Sequence, residues 1–467
     1  MDFKNTFAMK YLLWSLTFIL TLPVLAVAQN NESDPFKRDP IFNRPLDDIF
    51  GTGNDEDEDI EETDLEEPAR AVVRHLAVEG LDLGGGFEGG PYYSNSLYNQ
   101  FPNLSTVHFN RVNGLFLGLK KERMQWHRRG SILNIPQIEP HGFIGFGTAS
   151  KEWEYGIGLE KLIGDSRRFM VGGEFYRASA TEDYRRTGLI ENTLTSFFGS
   201  YDNLDYYRME GFGLYTAYRT NKWFETAFSY NRSTFTSAEL NTRYSLFGKS
   251  SVYRPNPPID ELTDEIDMDS YGLTVSFNPR HVLMHNRFTM SATANAVLSD
   301  NGATNQDYRH DKVDATIKLF YNFESGSVLR WRFKTGGITG NAPDFKLFYL
   351  GGIGTLRGTP YKFFRGNQMI ASSVEVQFGR PSNVPGRWLR DYGLNLMLFL
   401  DSGWAREIPE LKTGSNPFGG LQNFSFSAMQ HDAGIGIGSR ALRFELAWPL
   451  KEFDRSPVFW VRFNPTF

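Results

Sequence analysis

From about residue 105 onward, apolar and polar residues alternate in short segments, and this period of two constrains the fold more than any other feature. In 394–401 four leucines fall on one face, and Asn395 and Asp401 fall on the other. In 434–438 the isoleucines share one face and the glycines share the opposite face. Successive side chains of a strand point to opposite faces, so the pattern predicts an all-β fold. A large soluble β-sandwich or β-helix would show the same alternation.

Composition favours a membrane barrel over these soluble alternatives. The chain contains 45 Gly, 40 Phe, 21 Tyr and 9 Trp among 467 residues. Its mean hydropathy of -0.40 would normally indicate a soluble protein. The strands of a membrane barrel alternate lipid-facing apolar with lumen-facing polar residues, so their average hydropathy is low although one face meets lipid. We therefore predict a transmembrane antiparallel β-barrel over 105–467.

About sixteen strands are predicted, an even number as expected for a single-chain outer-membrane barrel. One difficulty concerns the connection after the eleventh strand. If that connection is extracellular, the long connections 180–205 and 236–265 fall on the periplasmic side, where short turns are the rule. Either those connections are atypical or the strand assignment is off by one in two places. The predicted strands are 105–119, 138–148, 152–162, 168–179, 206–219, 222–235, 266–278, 287–299, 309–323, 327–338, 345–350, 366–378, 391–402, 430–440, 441–449 and 457–467.

The first 28 residues have the pattern of a cleaved export signal. Lys4 and Lys10 precede the apolar run 11–25, and Ala26-Val27-Ala28 provides a small-x-small cleavage site. A transmembrane anchor is the alternative, but the run is interrupted by Pro23 and is shorter than the roughly 20 apolar residues needed to span a bilayer. The chain has no cysteine, which excludes a lipoprotein, a disulfide scaffold and a thiolate metal site.

Residues 29–68 form a strongly acidic segment. Fifteen Asp or Glu face only Lys37, Arg38 and Arg44, and few apolar residues are present to form a core. We predict a disordered periplasmic segment; the calcium-site alternative lacks the spaced Asp/Asn-Gly pattern of a calcium loop. Residues 69–104 are predicted to be a linker, with a possible short helix over 66–79.

A glycine-rich stretch, 351–359, precedes the predicted twelfth strand. It is not a nucleotide loop, because it lacks a P-loop Lys-Ser/Thr and no helix pattern follows. Its Leu356-Arg357-Gly358 resembles the Val/Leu/Ile-Arg-Gly-Phe/Tyr signature of the inward-folded sixth loop of Omp85 superfamily (BamA/TamA-like) barrels. Thr359 departs from the signature at its fourth position and leaves Tyr361 as a substitute aromatic.

The resemblance implies partners for the loop arginine. In that family it meets a carboxylate of a Phe-x-Asp-x-Gly motif, which this chain has at 399–403 with Asp401 in the acidic position. Glu375 matches a second acidic partner. Independently of the family, Arg357 and Asp401 fall on the lumen side of an apolar-alternating wall, where a guanidinium binds a carboxylate through two parallel hydrogen bonds. The resemblance further implies a role in outer-membrane protein assembly or translocation.

The ends of the barrel extend this resemblance. Residues 109–115 resemble the first-strand motif of Omp85-like barrels, and 431–447 resemble the family's last hairpin. The chain ends in a pattern like the insertion signal of outer-membrane proteins. Pro465 removes a backbone donor near the end, which predicts a weakly paired seam between the first and last strands. The signal comprises Phe459, Val461, Phe463 and Phe467.

Residues 29–104 do not have the composition of the periplasmic POTRA domains that Omp85 assembly proteins usually carry. We therefore expect a barrel-only relative in the outer membrane of a Gram-negative bacterium, with the N-terminal segment in the periplasm. The expected partners are outer-membrane lipids and other outer-membrane or periplasmic proteins that supply the POTRA function; nucleic acid is not expected. The alternative function is a passive pore or a structural subunit of an outer-membrane complex.

Catalysis is not expected. The eight histidines are scattered and no G-x-S-x-G nucleophile elbow occurs. His281 and His285 lie in a predicted turn, where the spacing of helical metal ligands does not apply. The sequence therefore predicts no enzyme, no metal site and no cofactor.

Overall fold

The computed structural model describes residues 107–121, 138–163, 168–183, 186–220, 223–247, 253–279, 284, 287–301, 308–324, 326–378, 394–439, 442–452 and 456–463. The predicted signal sequence 1–28, the acidic segment 29–68 and the linker 69–104 with its helix at 66–79 lie outside these residues, as do Pro465 and Phe467.

Sixteen strands form one antiparallel sheet in which spatial neighbours follow the order of the chain. This confirms the predicted all-β fold and its strand number. The strands are β1 Val107–Asn110, β2 Gly114–Lys121, β3 Ile138–Gly147, β4 Glu152–Ile163, β5 Phe169–Ala180, β6 Tyr207–Arg219, β7 Phe224–Ser237, β8 Glu265–Phe277, β9 Phe288–Asp300, β10 His310–Asn322, β11 Val328–Gly340, β14 Gln368–Phe378, β15 Asn395–Arg406, β16 Gln430–Gly438, β17 Leu442–Pro449 and β18 Val458–Phe463.

Two short strands pair separately from the wall. They are β12 Phe348–Leu350 and β13 Phe364–Gly366, and both lie in the connection between β11 and β14. The helices are α1 Leu189–Gly199 and α2 Pro409–Thr413, with single 3₁₀ turns at Asp344–Lys346, Gly419–Asn423, Phe426–Ala428 and Leu450–Glu452. Within the described part of the chain, no helix is long and apolar enough to cross a membrane.

The two ends of the sheet meet at α1, which makes the sheet a barrel. In β1 the backbone N–H of Phe109 donates to Thr193 Oγ1 at 3.2 Å. In β18 the backbone N–H of Phe463 donates to Glu191 Oε1 at 3.1 Å. Because one 11-residue helix contacts both edge strands, the sheet has curved until its first and last strands flank the same element.

The wall presents apolar side chains outward and polar side chains inward. In β15, Leu398 and Leu400 are 46% and 42% exposed, whereas Asp401 is 1% exposed. The same alternation places the isoleucines of β16 outside and Gly436 and Gly438 inside. Large outward apolar residues occur on most of the wall strands: Leu117, Leu119, Ile144, Trp153, Ile157, Leu159, Phe175, Leu214, Phe228, Tyr271, Leu298, Leu396, Ile435, Phe444 and Phe459.

Two strand predictions were wrong. One error removed a strand and the other added one, so the predicted number of wall strands was still sixteen. The predicted strand 105–119 is two strands, because the Asn110 side chain accepts the backbone N–H groups of Val112 and Asn113 at 3.0 and 2.7 Å. Such a side-chain hydrogen bond stabilises a turn, which ends at Gly114 with a φ of 65°. The predicted strand 345–350 is not a wall strand; its end forms β12 inside the barrel.

These corrections resolve the difficulty over the long connections. Because the predicted first strand is in fact two strands, every following strand up to β11 moves up one place in the strand order. The connections 181–206, 238–264, 341–367 and 407–429 therefore follow β5, β7, β11 and β15, and all four lie at the same end of the barrel. This end is called the long-loop end below.

Candidate functional site

The connection 341–367, called the inner loop below, folds against the inside of the barrel. Three glycines with positive φ, Gly351, Gly352 and Gly354, allow its tight path. The N–H of Gly352 donates to the carbonyls of Leu356 and Thr359, both at 2.9 Å, which closes the loop on itself. Its apolar side chains pack on the wall in one buried cluster: Ile338, Phe348, Leu350, Leu356, Met369 and Ala405.

Arg357 projects from the inner loop into a buried group of carboxylates. Its Nε lies 2.6 Å from Asp401 Oδ2 and its Nη2 lies 2.9 Å from Asp401 Oδ1, a two-point pairing. Its Nη1 donates to Glu375 at 2.8 Å and to Glu445 at 3.3 Å. The guanidinium also lies 3.5 Å from the centroid of the Phe399 ring. One arginine thus contacts carboxylates on β14, β15 and β17.

The structure brings together the three predicted residues Arg357, Asp401 and Glu375 and adds Glu445. Arg357 is 3% exposed and Asp401 is 1% exposed, so the charges are removed from water. Burial lowers the pKa of the Arg357 guanidinium, but the charges of Asp401, Glu445 and Glu375 outweigh burial and hold that pKa well above its usual value. The guanidinium therefore stays charged. Substitution of Arg357 would leave the three buried carboxylates without their shared cation.

The residues after Arg357 dock on the last strands. The Gly358 N–H donates to Asp432 Oδ2 at 2.8 Å, and the Thr359 hydroxyl donates to the same carboxylate at 3.0 Å. The Trp460 indole donates to the Arg357 carbonyl at 2.8 Å. Thr359, which departs from the family signature, therefore has a partner of its own in Asp432.

Tyr361 does not take the place of the missing aromatic beside Arg357. Its hydroxyl donates to Asp183 Oδ2 at 3.2 Å, near the long-loop end. The Arg254 guanidinium lies over its ring at 4.1 Å from the centroid. Tyr361 therefore ties the inner loop to the connections 181–206 and 238–264.

The charge cluster continues from Glu445 toward the edge of the sheet. Arg443 Nη2 lies 2.5 Å from Glu445 Oε1, and Arg462 Nη1 lies 3.7 Å from the same oxygen. Arg462 Nε in turn lies 2.5 Å from Glu191 Oε1 on α1. The sequence prediction missed these members. Alternation alone places Arg443, Glu445 and Arg462 on the polar faces of their strands, but only the strand register shows which of them meet.

A second buried cluster lies at the long-loop end around Arg111, in the turn after β1. Arg111 Nη1 donates to the Leu204 carbonyl at 2.6 Å, and Nη2 lies 2.9 Å from Asp205 Oδ1. Lys362 of the inner loop lies 2.7 Å from both Asp205 and Asp183. Burial raises the pKa of Asp205, but the charges of Lys362, Arg254 and Arg111 outweigh burial and lower that pKa to about 2.

The predicted insertion-signal residues alternate as the sequence suggests. Phe459 points outward, 58% exposed, and its ring stacks on that of Phe444 with centroids 6.1 Å apart. Val461 and Phe463 share its face of β18, whereas Arg462 points inward and is 2% exposed. Phe467 lies outside the described residues.

The fold and the buried loop define a β-barrel with a tethered inner loop. No protein-family model and no curated protein matches the chain. BamA from Haemophilus ducreyi lacking POTRA domains 1–3 is similar in structure, with 13% identity, a TM-score of 0.46, and coverage of 76% of this chain and 68% of that chain. CdiB from Acinetobacter baumannii has 10% identity, a TM-score of 0.38, and coverage of 73% and 54%. CdiB from Escherichia coli has 11% identity, a TM-score of 0.39, and coverage of 76% and 59%. The chain thus spans less than two thirds of either CdiB.

Proposed function

We propose that this protein is an Omp85-like outer-membrane barrel of a Gram-negative bacterium that acts in outer-membrane protein assembly or translocation. The observation that carries the proposal is the inner loop, held inside the barrel by Arg357 against Asp401, Glu375 and Glu445. Burying one cation among several carboxylates is expensive unless every charge is satisfied. Such an arrangement fits a loop that must keep one position within the lumen.

The outward face supports a location in lipid. Leu119, Phe175 and Ile157 are 76%, 66% and 61% exposed, and each belongs to a strand of the wall. Exposed apolar patches of this extent are rare on soluble monomers. In outer-membrane barrels the longer loops are extracellular, so we place the long-loop end outside the cell and the N-terminal segment in the periplasm.

Outer-membrane lipids are therefore the first proposed partner. We further propose that a separate outer-membrane or periplasmic protein supplies the POTRA function, since the acidic segment 29–68 offers few residues for a packed core. We propose no catalytic role and no cofactor for this protein.

The inner loop argues against the alternative of a passive pore. Its residues Leu350, Ile353 and Leu356 are each 1% exposed, so this part of the loop is packed inside the barrel. A loop seated in this way narrows the lumen. The packing of the inner loop is equally compatible with a structural subunit of an outer-membrane complex. The depletion experiment distinguishes this role from the proposed function.

Depletion of the protein tests the proposal. We expect depletion to lower the levels of a subset of outer-membrane proteins or surface lipoproteins, measured by quantitative proteomics of isolated outer membranes. Re-expression of the native chain should restore them, and the Arg357→Ala variant should not. An unchanged proteome with large, steady conductance in planar bilayers would contradict the proposal and support a pore. An unchanged proteome with little conductance and a stable copurifying partner would instead support a structural subunit.

A further inference from the structure

Side chains of a neighbouring helix bind both edges of the seam between the first and last strands. β1 has four residues and β18 has six, and no ladder joins them among the residues that the structure describes. An edge strand carries backbone donors and acceptors that need other partners. At this seam two of those donors, the N–H groups of Phe109 and Phe463, bind side chains of α1.

Glu191, in the first turn of α1, binds the edge of β18. It is 1% exposed, and its Oε1 accepts from Arg462 Nε at 2.5 Å and from the Phe463 backbone N–H at 3.1 Å. Its Oε2 accepts from Arg462 Nη2 at 3.0 Å and from the Thr187 hydroxyl at 2.5 Å. A single carboxylate therefore satisfies a backbone donor and a guanidinium of the last strand.

The same helix binds the edge of β1, and Asp202, which follows the helix, binds the turn after β1. Thr193 Oγ1 accepts from the Phe109 N–H at 3.2 Å, and Asp202 Oδ2 accepts from the Arg111 N–H at 3.0 Å. Asn192 of α1 donates to Asp202 Oδ1 at 3.0 Å and so joins these two attachments. Side chains of α1 thus bind backbone N–H groups on both sides of the seam.

We propose that α1 is a releasable latch that holds the seam closed, and that its release is coupled to the inner loop through Glu445 and Arg462. The hydrogen bonds from α1 to the two edge strands named above are accepted by its side chains, so release from the seam breaks no strand ladder. The backbone N–H groups of Leu246 and Phe247 bind the carbonyls of Phe197 and Phe198 and keep the C-terminal end of α1 on the connection 238–264. An isolated helix of 11 residues is marginally stable in water, so α1 depends on these contacts to persist. The proposal does not depend on the function proposed above.

The coupling follows from a shared carboxylate. Glu445 Oε2 lies 3.3 Å from Arg357 Nη1, and Glu445 Oε1 lies 3.7 Å from Arg462 Nη1. When Arg357 leaves, Glu445 loses one of its cations and attracts Arg462 more strongly. Arg462 is the cation that holds Glu191, so displacement of the inner loop weakens the attachment of α1 to β18.

The absence of cysteine allows a direct test, because a single introduced thiol reports one position. Ser196 lies on α1, is fully buried, and differs from cysteine by one atom. In the full-length protein in native outer membranes, we expect the Ser196→Cys thiol to react slowly with a water-soluble maleimide. Adding Glu191→Gln should raise its labelling rate by about tenfold or more, the effect of losing a hydrogen bond to a charged group. Adding Arg357→Ala should raise the same rate.

Ser276→Cys is the matched control, since Ser276 is 4% exposed on β8, far along the sheet from both edge strands. Its labelling rate, measured on the folded, heat-modifiable species, should be the same in all backgrounds. An unchanged Ser196→Cys rate with Glu191→Gln would overturn the latch, and so would an equal rise at both positions, which would indicate general unfolding. A rise with Glu191→Gln but not with Arg357→Ala would overturn the coupling alone. Thr193→Val replaces Glu191→Gln if that variant does not fold; because it removes a neutral hydrogen bond worth about 1 kcal/mol, the expected rise in the Ser196→Cys labelling rate is about fivefold.

Discussion

The wall from β6 to β11 and the seam between β1 and β18 hold together by different means. Each strand from β6 to β11 has 13 or 14 residues, and β7 and β8 pair over 224–236 without interruption. At the seam, strands of four and six residues are joined by the side chains of α1. A ladder spreads its free energy over many equivalent backbone bonds, whereas the seam and the inner loop depend on a few charged side chains. Single substitutions should therefore matter most near the seam and the inner loop.

The largest effect is expected for Arg357→Ala. This substitution leaves Asp401, Glu375 and Glu445 buried beside an empty space, which should cost about 3–5 kcal/mol. The folded, heat-modifiable fraction on gels should fall, and the urea midpoint in detergent should decrease. Arg365→Ala is the control, because Arg365 is 43% exposed and its ion pair with Asp344 is 3.4 Å long; it should cost less than about 1 kcal/mol. Equal behaviour of the two variants would refute the tethered loop.

Gly358→Ala should have the next largest effect, because the inner loop approaches β17 closely at this residue. A Cβ at Gly358 would lie 2.8 Å from backbone atoms of Trp448 and Pro449, which cannot move aside as a side chain would. Overpacking of this kind costs about 1–3 kcal/mol. Thermal unfolding followed by circular dichroism should show the loss. Gly419→Ala, whose Cβ would meet its nearest atom at 3.6 Å, should unfold like the native protein.

Acid should weaken the cluster at the long-loop end through Asp205. Its pKa in the folded protein is lowered to about 2 from 3.8, so its ionised form stabilises the fold above pH 3.8. That contribution, on the order of 2 kcal/mol, is lost as the pH falls from about 4 to about 2. Unfolding free energies measured across this window should decrease more steeply for the native protein than for Asp205→Asn. Identical pH profiles would show that Asp205 does not carry this dependence.

Thr193→Val should have the smallest effect and be confined to the seam. It keeps the shape of the side chain but removes the acceptor for the Phe109 N–H, which costs about 1 kcal/mol. Hydrogen exchange of a peptide that spans β1 should become faster. Thr335→Val in β11, where the hydroxyl donates to the Met369 carbonyl within the wall, should leave exchange in β1 unchanged. Faster hydrogen exchange of the β1 peptide in both variants would show that the stability of the seam does not depend specifically on its side-chain contacts.

Much of the wall could be predicted from alternation, because a period of two directly reports which face each residue takes. The leucines of β15 and the isoleucines of β16 lie outward as predicted. The errors fell where a local interaction interrupts the period. The Asn110 side chain makes a turn within a run that alternates on both sides of it, and 345–350 resembles a strand but pairs only within the inner loop.

The candidate site could be predicted in part. Arg357, Asp401 and Glu375 belong to short motifs, and the structure places them in contact. Glu445, Asp432 and Arg462 belong to no such motif, although alternation assigns them to the polar face. The helix α1 was not predicted at all, because 180–205 was assigned as a connection between strands and its seam contacts are long-range.

The sequence by itself determined which side chains face lipid and which face the lumen, because strand geometry converts position along the chain into orientation. Only the tertiary structure decided which lumen charges meet. Glu191 and Arg462 are separated by 271 residues, and their contact arises only when the sheet curves until its two edges reach the same helix. Pairing of charges across a closed barrel depends on register and closure, and no local pattern encodes either.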